Sequence, residues 1–134
     1  MATHHLAAVE HEIHEFFSDF VAAFCTFDGV RIAERYHAPG IALRADGSID
    51  VMQSHAEIEK AFEAAVAGYH RDGCRGLRFK DLHVVPMGAH AVLGTVTWEL
   101  LREDGSVVRR WRQSYNLVRV EAAWMVFAST HHVE

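Results

Sequence analysis

Apolar residues recur three and four apart along the first part of the chain: Leu6, Val9, Ile13, Phe16, Phe17, Phe20, Val21 and Phe24. That spacing draws a single stripe down one face of a long amphipathic helix. The stripe is heavy in phenylalanine, so the helix is expected to face a large core or a pocket. Asp28 stands before GVRIAERY, where its carboxylate can accept hydrogen bonds from the free N–H groups of a second, short helix. Pro39 and Gly40 are expected to end that element. In IALRADGSIDVMQ, Asp46-Gly47 separates two strand-like runs; the pair tolerates positive φ and predicts a tight hairpin. Ser54 with Glu57 three residues on forms a capping box. It opens a third helix with the stripe Ile58, Ala61, Phe62, Ala65, Val66 and Tyr69, which Gly73 can close.

After Gly76 the period changes from helical to alternating. LRFKDLHVV, AVLGTVTWELL, SVVRRWRQSYNLVRV and AAWMVFASTHH are four strand segments. Pro86-Met87-Gly88, Asp104-Gly105 and Glu121-Ala122 connect them tightly, which implies an antiparallel meander. The predicted order is α-α-β-β-α-β-β-β-β in an α+β fold, with three N-terminal helices covering one face of a strongly curved antiparallel sheet. A long sheet twists and curls, so the helices should close a cone with an interior. No linker, repeat or low-complexity tract interrupts the 134 residues. Residues 1–134 are therefore read as a single domain.

Composition narrows the function classes. The net charge of -5 leaves no broad positive field, so nucleic acid is not an expected partner. No apolar run approaches the roughly 20 residues of a membrane span, and the first residues lack the basic start and apolar stretch of a secretory signal. A cytoplasmic protein that does not enter a membrane is the expectation. Cys25 and Cys74 lie far apart with no CxxC pair, which argues against a disulfide framework. No phosphate-cradling glycine loop and no nucleophile elbow are present, and no cofactor is expected.

The stretches FVAAFCTFDGVRIAERYHAPGIAL, SHAEIEKAFEAAVAGY and NLVRVEAAWMVFAS together resemble the nuclear-transport-factor-two-like superfamily. That group includes ketosteroid isomerase-like and SnoaL-like polyketide cyclase proteins. The resemblance covers nearly the whole chain and implies a cone-shaped, cystatin-like fold. It also implies a small-molecule pocket in the cone, serving isomerases, dehydratases, cyclases or binding-only proteins, and a homodimer formed through the sheet. Catalytic residues do not carry over: Phe20 stands where ketosteroid isomerases place an oxyanion-donating Tyr, and Ala45 where they place the basic Asp. Asp46, one step away, is more simply a hairpin residue.

Strand alternation nominates the interior. Val92, Gly94, Val96, Trp98 and Leu100 form one face of their segment, and Trp111, Gln113, Tyr115 and Leu117 form one face of the next. Phe20, Phe24, Trp98, Trp111, Gln113 and Tyr115 are the candidate ligand-binding residues. They suit a small apolar or aromatic ligand. Asp81 and His83 share parity with Leu77 and Phe79, so they read either as a solvent-exposed pair near the strand end or as an inward acid–base pair, and they are the first catalytic candidates. One of His131 and His132 should also face inward, and His132 is the further catalytic candidate. Two alternatives remain open: a non-catalytic ligand-binding dimer, and an interaction module whose cone is filled solid. The set Arg110, Arg112, Ser114, Asn116 and Val118 should face outward and is the expected dimer surface.

His11 and His14 in EHEIHEFF sit three apart, a spacing that can share a metal on a helix. Measured from Ile13 and the phenylalanines, His11 points roughly 160° from the buried direction and His14 roughly 100°. The pair therefore reads as solvated surface, and no metal site is expected.

Overall fold

We describe the protein from a computed structural model, which describes the backbone of residues 2–134 and the side chains of residues 6–134. Among these residues the elements run α1 (Ala2–Phe24), α2 (Gly29–Ala33), β1 (Tyr36–Leu43), β2 (Ile49–Met52), α3 (His55–Arg71), β3 (Gly76–Met87), β4 (Ala91–Leu101), β5 (Val107–Val120) and β6 (Ala123–His131). This is the predicted α+β order. The strands lie in one curved, unclosed sheet in the order β2-β1-β6-β5-β4-β3. β3 to β6 form the expected meander, but β1 joins β6 in parallel, so the sheet is mixed rather than wholly antiparallel.

The caps act as the side-chain chemistry dictates. Asp28 accepts from the Val30 amide at 3.0 Å, and Ser54 Oγ accepts from the Glu57 amide at 3.2 Å. The Glu57 carboxylate reaches back to the Gln53 amide. The second helix is shorter than GVRIAERY, and Pro39-Gly40 does not end it. Those two residues lie inside β1, where the pairing with β6 skips from Tyr36 to Ile41. A proline has no N–H to donate, so the ladder breaks locally while the strand continues.

Most of the α1 stripe packs as predicted: Val9, Ile13, Phe16, Phe17, Phe20 and Phe24 are buried, whereas Val21 is half-buried and Leu6 is exposed. Gly94, on the inner face of β4, lets α1 approach closely. A Cβ there would meet Phe17 Cε2 at 3.2 Å and Leu117 Cδ1 at 3.3 Å. Gly29 does the same for α2 against α3, where a Cβ would lie 2.6 Å from the Glu59 carbonyl oxygen.

Two bulges reset the side-chain faces. In β3, Lys80 pairs with Thr97 but His83 pairs with Thr95, so three steps on β3 oppose two on β4. Asp81 supplies the extra residue and adopts φ 54°. In β6, Val126 pairs with Leu117 and Ala128 with Asn116, which leaves Phe127 as the extra residue. Each inserted residue moves everything beyond it to the opposite face.

Candidate functional site

Between the helices and the inner face of the sheet lies an open cavity of about 650 Å³. Its size follows from chain geometry. α1 leans on β4 at Gly94, while α3 stands across β1 and β2, so the wedge between them is not filled by side chains. Phe20, Trp98, Tyr115 and Tyr36 line the buried end, and Phe24, Phe62 and Tyr69 continue the wall. Trp98 meets Phe20 at 5.6 Å between ring centroids, and Tyr36 meets Phe62 at 4.9 Å. Such walls favour apolar ring surfaces.

Polar atoms are few and defined. Trp98 Nε1–H donates to Tyr115 Oη at 2.7 Å. That leaves the Tyr115 phenol proton with no protein acceptor among the described residues. Burial, and then the neighbouring Tyr36, push the Tyr115 pKa well above its usual value, and burial raises that of Tyr36. Both are therefore neutral hydrogen-bond donors at physiological pH. Trp111 Nε1–H donates to Gln113 Oε1 at 2.8 Å, so the Gln113 amide turns its donor end elsewhere.

Among the described residues, His131 is the histidine of the lining. Its ring stacks on Trp111 with centroids 5.6 Å apart and planes 3° apart. Nδ1 lies 2.9 Å from the His132 carbonyl oxygen. A carbonyl only accepts, so Nδ1 carries the proton in the neutral ring and Nε2 carries the lone pair. Nε2 is buried and has no hydrogen-bond partner among the described residues. Burial lowers the His131 pKa, and the Arg109 charge lowers it further. The ring is therefore a neutral acceptor whose lone pair lacks a donor among the described residues.

All six candidate ligand-binding residues, Phe20, Phe24, Trp98, Trp111, Gln113 and Tyr115, line this cavity. Asp81, His83 and His132 do not line it, and all three are exposed. The β3 bulge is the physical reason for the first two. Leu77 and Phe79 face inward, but beyond Asp81 the inward positions are Leu82 and Val84, and His83 shares the outer face with Thr95. The β6 bulge turns His132 outward in the same way. Its Nε2 lies 2.8 Å from Ser114 Oγ on the outer face, while His131 pairs with Gln113 on the inner one. Asp46 accepts from the Ser48 amide and hydroxyl at 2.9 and 2.6 Å, in the manner of a hairpin residue.

Two further features lie outside the cavity. On the outer face Glu99 is 1% exposed, because Arg78, Lys80 and Arg110 close over it. Hydrogen bonds from Arg78 and Arg110 hold its pKa down to about 2. Strand alternation places Glu99 on the outer face but gives no sign of its burial. The signal is present as basic residues on the two flanking strands. On α1, His11 pairs with Glu15 at 3.8 Å, and the His14 ring packs edge-on against Phe79 at 5.3 Å. Among the described residues no three His, Cys, Asp or Glu side chains are grouped to hold a metal, and no helix is long and apolar enough to cross a membrane.

Similarity to known proteins agrees with this architecture. The solved structure of Aln2 from a Streptomyces species superposes with a TM-score of 0.76 at 18% identity, covering 93% of this chain and 90% of that one. An NTF2-like protein with a cystatin-like fold from Novosphingobium aromaticivorans gives a TM-score of 0.73 at 14% identity, covering 97% and 84%. A cystatin-like protein of unknown function from Nostoc punctiforme gives 0.72 at 16%, covering 93% and 90%. At these identities the likeness concerns the fold alone. No curated protein matches. The sequence profile described as NTF2-like protein (DUF6841) matches residues 10–134, and the chain belongs to that family.

Proposed function

We propose that the protein binds a small, largely apolar molecule in the cavity and moves a proton on it, as an isomerase, dehydratase or cyclase of the SnoaL-like or ketosteroid isomerase-like type does. The observation that carries this reading is His131: a neutral imidazole in the cavity wall whose Nε2 lone pair has no partner among the described residues. A buried acceptor left unpaired costs about 1–3 kcal/mol, and a turn of the ring that brings Nε2 out of its buried position lets a ligand donor or an acidic C–H relieve that cost. The phenols of Tyr115 and Tyr36 supply protons for hydrogen bonds to a substrate oxygen. Charge that develops on a carbonyl oxygen when an adjacent proton leaves is stabilised by such donors.

The test uses 2-tetralone, a bicyclic ketone with acidic protons next to its carbonyl. In D₂O the protein is expected to accelerate exchange of those protons saturably. His131→Gln should lower that acceleration about 100-fold, within the usual contribution of a positioned base. Exchange that is not accelerated, or that survives His131→Gln unchanged, contradicts the acid–base reading.

A second reading, binding without turnover, is favoured by one observation. The carboxylates of the lining, Asp46 and Asp50, are both engaged, with Ser48 and Arg44 respectively. The cavity thus holds no uncommitted carboxylate among the described residues to act as a second acid–base group. Saturable binding of 2-tetralone without exchange would select this reading.

The same proposal includes a homodimer through the outer face of the sheet. Ile41, Ile49 and Val51 of β1 and β2 are 48%, 67% and 50% exposed, and Phe127 is exposed on neighbouring β6. Beside them stand Ser114, Asn116 and Val118 of β5. An apolar patch with a polar border suits pairing with a second copy about a twofold axis.

A further inference from the structure

We propose that the cavity selects ligands that carry a carboxylate on an apolar ring, and that Arg109 at its rim reads the carboxylate; the proposal rests on the cavity being the ligand site. Arg109 belongs to the inner set of β5. It pairs with buried Leu100 and precedes Trp111 by two positions. Its side chain is exposed at the rim of the cavity, so the guanidinium keeps its hydration while remaining open to a ligand that enters there.

None of the described residues supplies a carboxylate partner. The guanidinium carbon lies 5.0 Å from the Trp111 ring centroid, and the side chain forms no ion pair with any of these residues. The other rim cation behaves differently: Arg44 holds Asp50 Oδ2 at 2.5 Å. The remaining rim carboxylate, Asp46, is turned back onto Ser48. Among the described residues, Arg109 is thus the lining cation with no acid of its own. Resting against an indole face, it keeps its N–H fork free for the planar, two-pronged contact that a carboxylate makes.

Its charge also reaches into the cavity: burial raises the Tyr69 pKa and Arg109 partly opposes that rise, while burial lowers the His131 pKa and Arg109 adds to the lowering. A bound carboxylate would offset that charge and make His131 a stronger base. The ligand would therefore complete the site it occupies. Its ring would lie toward Phe20 and Trp98, its carboxylate at Arg109, and the reacting carbon near His131.

The experiment compares 2-naphthoate with 2-naphthamide, which share a skeleton and differ in charge. Binding is read by the fluorescence of Trp98 and Trp111 and by calorimetry. The wild type is expected to prefer the acid by about tenfold. Arg109→Gln should bring the ratio to about one while amide binding persists, and Arg109→Lys should retain part of the preference. Ala65→Trp, which fills the cavity, should remove binding of both probes. Equal binding of acid and amide, or a preference that survives Arg109→Gln, overturns the role of Arg109 and leaves the cavity reading standing. No binding of either probe at millimolar concentration, or binding that survives Ala65→Trp, overturns the cavity reading and this inference with it.

Discussion

Glu99 shows how little a residue type says about burial. A carboxylate on the outer face of a sheet would ordinarily be solvated, yet two guanidiniums and an ammonium bring this one to 1% exposure. Its pKa is held at about 2, below the ordinary 4.5. A depressed carboxylate pKa adds stability above the unfolded-state value, and that stability is lost as pH falls from about 4.5 through about 2. Glu99→Gln is therefore expected to be less stable than wild type at pH 7, with the difference vanishing near pH 2. Urea midpoints across that pH range check this; a constant difference would show that the charge is irrelevant. His131 follows the same rule for a base. Burial lowers its pKa, so it should titrate below 6.5 in a histidine NMR titration.

At the scale of elements, the strand faces of β4 and β5 were legible because both run without interruption through the part that lines the cavity. Alternation alone put Trp98, Trp111, Gln113 and Tyr115 on one face. It failed on β3 and β6 because each carries one extra residue, and neither Asp81 nor Phe127 announces a bulge by type. A parity count from Leu77 brings Asp81 and His83 inward, and a count from Val126 brings His132 inward. The bulges turn these residues out and bring Leu82, Val84 and His131 in. Pro39 misled in a related way, because a proline usually marks an end and here sits within a strand. The β5–β6 turn holds Glu121 and Ala122 at φ 49° and 69°, a conformation that Asn-Gly adopts with less strain. Replacing the pair with Asn-Gly should stabilise the protein by about 1 kcal/mol in chemical denaturation. Gly94→Val should destabilise it by about 1–3 kcal/mol, because Phe17 and Leu117 already stand at contact distance from a Cβ.

For the whole molecule, element order was the most legible property. Caps, hairpin turns and the change of period placed the helices and strands in the right sequence, and helices gathered at the front must cover one face of a sheet. The parallel junction of β1 with β6 was not legible, since no local residue pattern records which distant strands become neighbours. The cavity was legible only as an expectation from curvature, because its volume depends on how far α3 stands from β4. Sedimentation at tens of micromolar should show a dimer, and Val51→Lys with Phe127→Glu should yield a folded monomer. A wild-type monomer would remove the proposed partner.

The role proposed for His131 is to serve the cavity as a neutral imidazole. Long-range ¹H–¹⁵N spectra of the histidine rings, recorded at pH 7 with and without 2-tetralone, test it most directly. The predicted result is a His131 ring protonated at Nδ1 and bare at Nε2, with the Nε2 resonance moving as ligand is added while His83 and His132 stay still. A His131 ring protonated at Nε2, or ligand shifts at His83 or His132 but not at His131, would contradict it.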